Sequence, residues 1–115
     1  MIKYYYGDRC AGKSAMLIEM ASGDDNPRII QPRVHWISDG KVWSRNGKEL
    51  PCISFSDEAS LKPLIEGFSK VYVDEVEMLT LRQLDELRES PTECICFGLY
   101  YRPVAERAYM TVCLD

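Results

Sequence analysis

A chain of 115 residues suffices for one domain with a single core and is too short for two. Its apolar fraction of 46% excludes low-complexity and disordered classes. The formal net charge of -4, from 14 Lys plus Arg against 18 Asp plus Glu, argues against a nucleic-acid surface, because phosphate backbones require clustered positive charge.

The five cysteines are odd in number and mostly set in apolar runs, which predicts reduced, core-type thiols in a cytoplasmic protein. Cys94-x-Cys96 has the wrong spacing for a zinc knuckle. No apolar stretch is long enough to span a membrane, and Met1-Ile2-Lys3-Tyr4 leaves no room for a signal peptide.

In chain order, Ile2–Tyr6 reads as a short strand ended by Gly7. Lys13 to Ala21, with Ala15, Met16, Leu17, Ile18 and Met20, reads as a helix stopped by Ser22-Gly23-Asp24-Asp25-Asn26-Pro27. Arg28-Ile29-Ile30-Gln31 is a second strand. Val34, Trp36, Val42 and Trp43 flank Ser38-Asp39-Gly40-Lys41, with Asn46-Gly47 close behind, and fit a small hairpin insertion.

Leu50 to Phe55 reads as a further strand. Ser56 and Asp57 are candidate caps for a helix over residues 58–67, with Leu61, Leu64, Ile65 and Phe68 as its stripe. Lys70-Val71-Tyr72-Val73-Asp74-Glu75 is a strand ending in two acids. Thr80 is expected to cap a helix from Leu81 to Glu89, closed by Pro91. Cys94–Leu99, apolar on both faces, fits an interior parallel strand. Tyr100 to Asp115 mixes aromatic and basic residues, with a short helix or edge strand expected around residues 105–112. Strands alternating with helices predict one α/β domain over residues 1–115 with a mostly parallel sheet.

Gly7-Asp8-Arg9-Cys10-Ala11-Gly12-Lys13-Ser14 matches G-x-x-x-x-G-K-[ST] at every fixed position, between a strand and a helix. Glycines let such a loop curl so that successive N–H groups face phosphate oxygens, and the following helix adds its positive end. This predicts a P-loop nucleotide-binding core for ATP. Lys13 would reach the β- and γ-phosphates, and the Ser14 hydroxyl would hold Mg2+. Asp74, at a strand end, is the second candidate metal residue, and Glu75 the candidate general base. Arg9 inside the loop is a further candidate phosphate contact.

Four segments together resemble the thymidine kinases shared by cellular, bacterial, viral and phage enzymes. They are the Gly7–Ser14 loop, Ser44-Arg45-Asn46-Gly47, Val73-Asp74-Glu75-Val76-Glu77-Met78-Leu79, and Cys96-Phe97-Gly98-Leu99. The resemblance implies a RecA-like P-loop core that transfers the γ-phosphoryl of ATP to the 5′-hydroxyl of thymidine. It implies Lys13 and Ser14 at the donor phosphates and Mg2+, Glu75 as base, and Arg45 near the phosphates as a catalytic residue. It also implies a nucleotide and a nucleoside as partners; apolar surface left exposed without the family's lid favours self-association into a homo-oligomer.

The chain departs from the family at the acceptor side. His35 and Ile37 stand where the family's Lys-Pro-x-x-Asp-x-Arg run has its acid and second basic residue. Asp-Glu-Ala-Gln-Phe becomes Asp74-Glu75-Val76-Glu77-Met78, and Gly-Leu-Asp-x-Asp-Phe becomes Gly98-Leu99-Tyr100-Tyr101-Arg102-Pro103. The family's zinc-bearing lid would follow the last residues here. The expectation is a shortened homologue of the kind carried by viruses and phages, with weak or altered phosphoryl transfer. Two alternatives stay open: a non-catalytic interaction protein on the same scaffold, and a small P-loop ATPase. His35, next to Trp36, reads as a packing or surface residue. Tyr100, Tyr101, Arg102, Arg107 and Tyr109 read as packing or an interface rather than a nucleic-acid surface.

Overall fold

The computed structural model describes residues 1–8, 12–32, 40–55 and 59–115. Twelve elements follow in chain order: β1 (Ile2–Tyr6), α1 (Lys13–Ser22), β2 (Ile29–Gln31), β3 (Lys41–Trp43), β4 (Glu49–Ser54), α2 (Lys62–Ile65), β5 (Lys70–Val73), a 3-10 turn (Val76–Met78), α3 (Leu81–Glu89), β6 (Glu93–Gly98), α4 (Arg102–Arg107) and β7 (Ala108–Cys113). The seven strands form one sheet in the order β3-β4-β2-β5-β6-β1-β7. Among the described residues only β3 and β4 pair antiparallel, and every other pair is parallel.

Period-two alternation divides the core between the two faces of the sheet. Ile30, Val71, Val73, Cys94 and Cys96 meet Leu61 and Ile65, Leu84 and Leu87 of α3, and Val104 of α4. Ile29, Tyr72, Ile95 and Phe97 point the other way, onto Leu17 and Ala21 of α1 and onto Val42 and Leu50 of the hairpin. This is a mixed α/β globule with helices on both faces of a mostly parallel sheet. The interior position expected for Cys94–Leu99 is observed, since β6 lies between β5 and β1. No helix among the described residues is long and apolar enough to cross a membrane.

Several local expectations are met. Thr80 Oγ1 accepts from Gln83 N at 3.1 Å, and Gln83 Oε1 accepts from Thr80 N at 2.9 Å, closing a capping box at the start of α3. The hairpin turns at residues 44–48, where Ser44 N donates to Lys48 O at 2.9 Å. Its expected flank at Val34 and Trp36, the Ser56 and Asp57 caps, and His35 lie outside the described residues.

The helix expected over residues 58–67 is corrected to the four residues of α2. Pro63 occupies its first turn, Glu66 is already extended, and Gly67 turns left-handed at φ 85, so the chain cannot continue as a helix. The C-terminal segment holds both a helix, α4, and an edge strand, β7. Arg107 Nε donates to Asp85 Oδ1 at 2.7 Å and ties α4 to α3, while the Tyr100 ring sits edge-on to Tyr6 at 5.1 Å. Arg107 packs, whereas Tyr100, despite that ring contact, is exposed, as are Arg102 and Tyr109.

The capping box carries the first prediction. Thr80→Ala should lower stability by about 0.5–2 kcal/mol, read as a lower urea midpoint with an unchanged slope.

Candidate functional site

A cavity of about 550 Å³ opens at the carboxyl ends of the strands, the edge at which parallel α/β sheets present their ligand crevices. Three stretches line it: Gly12, Lys13, Ser14 and Ala15 at the start of α1, Asp74, Glu75, Glu77 and Met78 after β5, and Gly98-Leu99 at the end of β6. The parallel register explains the convergence. Tyr6 of β1 is level with Gly98 of β6, and Val73 of β5 with Cys96, so all three strands end at one edge.

On the α1 side, Gly12 adopts φ 68, ψ 31, a left-handed conformation natural to glycine, and the helix starts without any side-chain cap. Its first N–H groups and positive end therefore face the cavity. Lys13 Nζ donates to Gly7 O at 3.0 Å and also to Asp8 O, so the ammonium lies across the start of the loop. Gly7 N donates to Gly98 O at 3.3 Å, and Asp8 N donates to the Asp115 carboxylate at 3.0 and 3.2 Å. Of the loop residues expected to bind nucleotide, Arg9, Cys10 and Ala11 lie outside the described residues.

Asp74 is the structural centre of the site. It is only 2% exposed, and each of its oxygens is occupied. Oδ2 accepts from Ser14 Oγ at 2.7 Å and from Gln31 Nε2 at 3.1 Å, and Oδ1 accepts from Glu75 N at 2.9 Å. Burial raises its pKa above the ordinary carboxylate value, opposed by the hydrogen bonds from Ser14, Glu75 N and Gln31 and by the Lys13 charge. Sequence spacing separates Ser14 from Asp74 by 60 residues, yet the fold brings their oxygens into contact.

Glu75 has φ 49, a left-handed backbone unusual for a residue with a side chain. Its Oε2 is buried and has no hydrogen-bond partner among the described residues. Such an oxygen is an acceptor waiting for a donor or a cation. Glu77, not singled out as a site residue, also lines the cavity. Its Oε1 accepts from Leu99 N at 3.1 Å, and Leu99 O accepts from the buried Tyr4 hydroxyl, which in turn accepts from Tyr101 N at 2.9 Å. Two side chains thus hold both polar groups of the Leu99 peptide. Burial raises the Glu77 pKa first, and the Glu75 and Asp74 charges add to it.

Gln31 and Tyr4 were equally unmarked. Gln31 carried one usable signal, a polar residue closing the apolar run Ile29-Ile30. Arg45 is not brought to the cavity. It sits on the β3–β4 turn with its amide donating to Glu19 Oε1 at 2.8 Å, and neighbouring Lys48 donates to Ser22 O at 2.6 Å. Both anchors lie on the later half of α1, away from the Lys13 end.

Among the described residues no group of three or more His, Cys, Asp or Glu has metal-binding geometry. Any cation here would take ligands from the Ser14 hydroxyl, Asp74 and its substrate rather than from an all-carboxylate cage, the habit of Mg2+. The described cysteines are free: Cys52, Cys94 and Cys96 are buried and Cys113 is exposed. Burial pushes the Cys52 thiol up to about 12 and Cys94 up to about 11, which keeps both protonated and poor as metal ligands.

Two outcomes follow from this geometry. A Cβ at Gly98 would fall onto the Glu77 carboxylate and within 3.2 Å of Val76, so Gly98→Ala should cost about 1–3 kcal/mol in chemical denaturation. Glu77→Gln keeps an acceptor for Leu99 N and removes the charge. A carboxyl whose folded pKa is raised costs stability once ionised and costs nothing below both pKa values. The variant should therefore be more stable than wild type near pH 7. Its advantage should vanish as pH falls through the raised pKa to below about 4. No family model matches the chain, and neither does any curated protein sequence.

Proposed function

We propose that the protein binds Mg-ATP at the cavity beside Lys13 and Asp74 and acts as a phosphotransferase of the thymidine kinase type, with transfer altered from that of the family. The observation that carries this reading is the 2.7 Å contact between the Ser14 hydroxyl and the buried Asp74 carboxylate at the uncapped start of α1. It joins Ser14 of the loop pattern to the strand-end acid Asp74, the two residues read as holding one metal ion. Three of the four segments that resemble thymidine kinases contribute to this one cleft. The strand order, with β6 between the loop strand β1 and the acid strand β5, is compatible with a RecA-like P-loop core.

Hard oxygen donors from Ser14 and Asp74 suit Mg2+, and Glu75 Oε2, without a partner among the described residues, adds negative potential beside them. When bound, the ion would neutralise charge on the phosphates. Lys13 would hold the β- and γ-phosphates, and the α1 amides would orient them. Glu75 would take the proton from an acceptor hydroxyl reaching its Oε2. Arg45 does not line the cleft, which favours one second reading, nucleotide binding without turnover.

Calorimetry separates these readings. Wild type should bind Mg-ATP, Lys13→Ala should bind at least about tenfold more weakly, and Glu75→Gln should bind normally. Equal binding by wild type and Lys13→Ala would overturn the proposal. Nucleoside phosphorylation abolished by Glu75→Gln would establish transfer, and binding with no turnover would leave the scaffold reading.

A further inference from the structure

The two ends of the Gly7–Ser14 loop are held differently. At the far end the chain passes from Gly12 directly into α1. At the near end β1 stops at Tyr6, so Gly7 and Asp8 lie outside any strand or helix. Among the described residues three contacts hold them. Gly7 N donates to Gly98 O at 3.3 Å, and Lys13 Nζ donates to the carbonyls of both residues. Asp8 N donates to the Asp115 side-chain carboxylate, at 3.0 Å from one oxygen and 3.2 Å from the other.

Asp115 is brought there by β7. This edge strand runs parallel to β1 with Cys113 level with Tyr6, and Leu114 N extends the pairing by donating to Tyr6 O at 2.8 Å. The next side chain along, Asp115, then meets the amide of Asp8. Asp115 is exposed and does not line the cavity, so it acts on the loop and not on a phosphate or a metal.

The three contacts differ in what nucleotide would do to them. Phosphate oxygens would draw Lys13 Nζ away from the carbonyls of Gly7 and Asp8. The Gly7–Gly98 bond, at 3.3 Å, lies beyond the usual range of roughly 2.7–3.2 Å. The Asp8–Asp115 bond has an ionised acceptor, which makes it the stronger kind, and it hangs from a strand outside the cavity.

We propose that Asp115 is a positioning residue for the phosphate loop: its carboxylate anchors the β1 end of the loop while Lys13 is engaged by nucleotide. This rests on the Mg-ATP reading of the same loop. A loop already held in its binding shape spares the ligand the cost of ordering it, and the saving appears as affinity. The hydrogen bond carries that effect. The charge works the other way, since a carboxylate near the loop repels phosphate. Asp115→Asn keeps an acceptor for Asp8 N and drops the charge, whereas Asp115→Ala drops both.

The test titrates Mg2+ with a non-hydrolysable ATP analogue into the whole chain as wild type, Asp115→Asn and Asp115→Ala, with Lys13→Ala marking the site. Asp115→Asn should bind at least as tightly as wild type. Asp115→Ala should bind about three- to tenfold more weakly than either, with an unchanged urea midpoint. In the saturated proteins the Asp8 amide should exchange its hydrogen slowly in wild type and Asp115→Asn, and faster in Asp115→Ala.

Tighter binding by both variants would make Asp115 a competing anion and overturn the proposal. So would Asp115→Asn as weak as Asp115→Ala, an Asp8 amide that exchanges alike in all three, or a urea midpoint that falls in step with affinity. Equal affinity in the three Asp115 forms, with binding still lost in Lys13→Ala, would overturn it and leave the phosphate-site reading intact. Failure of the analogue to bind wild type would remove both.

Discussion

The site depends on one hydrogen bond, that from Ser14 Oγ to Asp74 Oδ2. It ties the first turn of α1 to the end of β5 across an intervening strand, and it does so in a place where Asp74 is almost wholly buried. A buried carboxylate is tolerable only when its oxygens are satisfied, and Asp74 meets that condition with Ser14, Gln31 and the Glu75 amide. Moving α1, β2 or the turn after β5 would each leave a polar group unpaired. The parallel sheet supplies the frame for this arrangement by ending β1, β2, β5 and β6 at one edge.

The second organising feature is the way the turn after β5 is pressed onto the end of β6. Glu75 carries an unfavourable left-handed backbone, and the next residues form a 3-10 turn that delivers Glu77 to Leu99 N. Gly98 makes the approach possible because it has no Cβ. Tyr4, reaching across from β1, completes the clamp. Backbone strain, a buried acid and an obligatory glycine thus occur together at the cleft wall, a pattern that accompanies functional sites more often than plain structural turns.

Much of the fold was legible because β-prone runs and helix formers alternate along the chain. Cys94–Leu99, apolar on both faces, fitted an interior strand, and Thr80 announced the start of α3, although its partner Gln83 was not foreseen. Residues 58–67 misled because their apolar stripe has helical spacing, while Pro63 sits in the first turn, Glu66 is extended and Gly67 is left-handed, which leaves a helix of one turn. Lys13, Ser14, Asp74 and Glu75 were picked out from a loop pattern and an acid pair at a strand end, and the fold sets all four on one cavity. Glu77, Gln31 and Tyr4 were not, since their roles come from hydrogen bonds across strands that sequence spacing does not encode. A tetrapeptide suggested a role for Arg45 at the phosphates; its backbone amide rests on Glu19 in the later part of α1, and Arg45 does not line the cavity.

The central claim is that the Lys13–Ser14–Asp74 cluster is a phosphate and metal site. The most direct measurement is a structure determined with Mg2+ and a non-hydrolysable ATP analogue. The account predicts Lys13 Nζ released from the carbonyls of Gly7 and Asp8 onto phosphate oxygens, with Ser14 Oγ and Asp74 both directed at one metal ion. Nucleotide bound away from the start of α1, or Lys13 still on those carbonyls with nucleotide present, would contradict it.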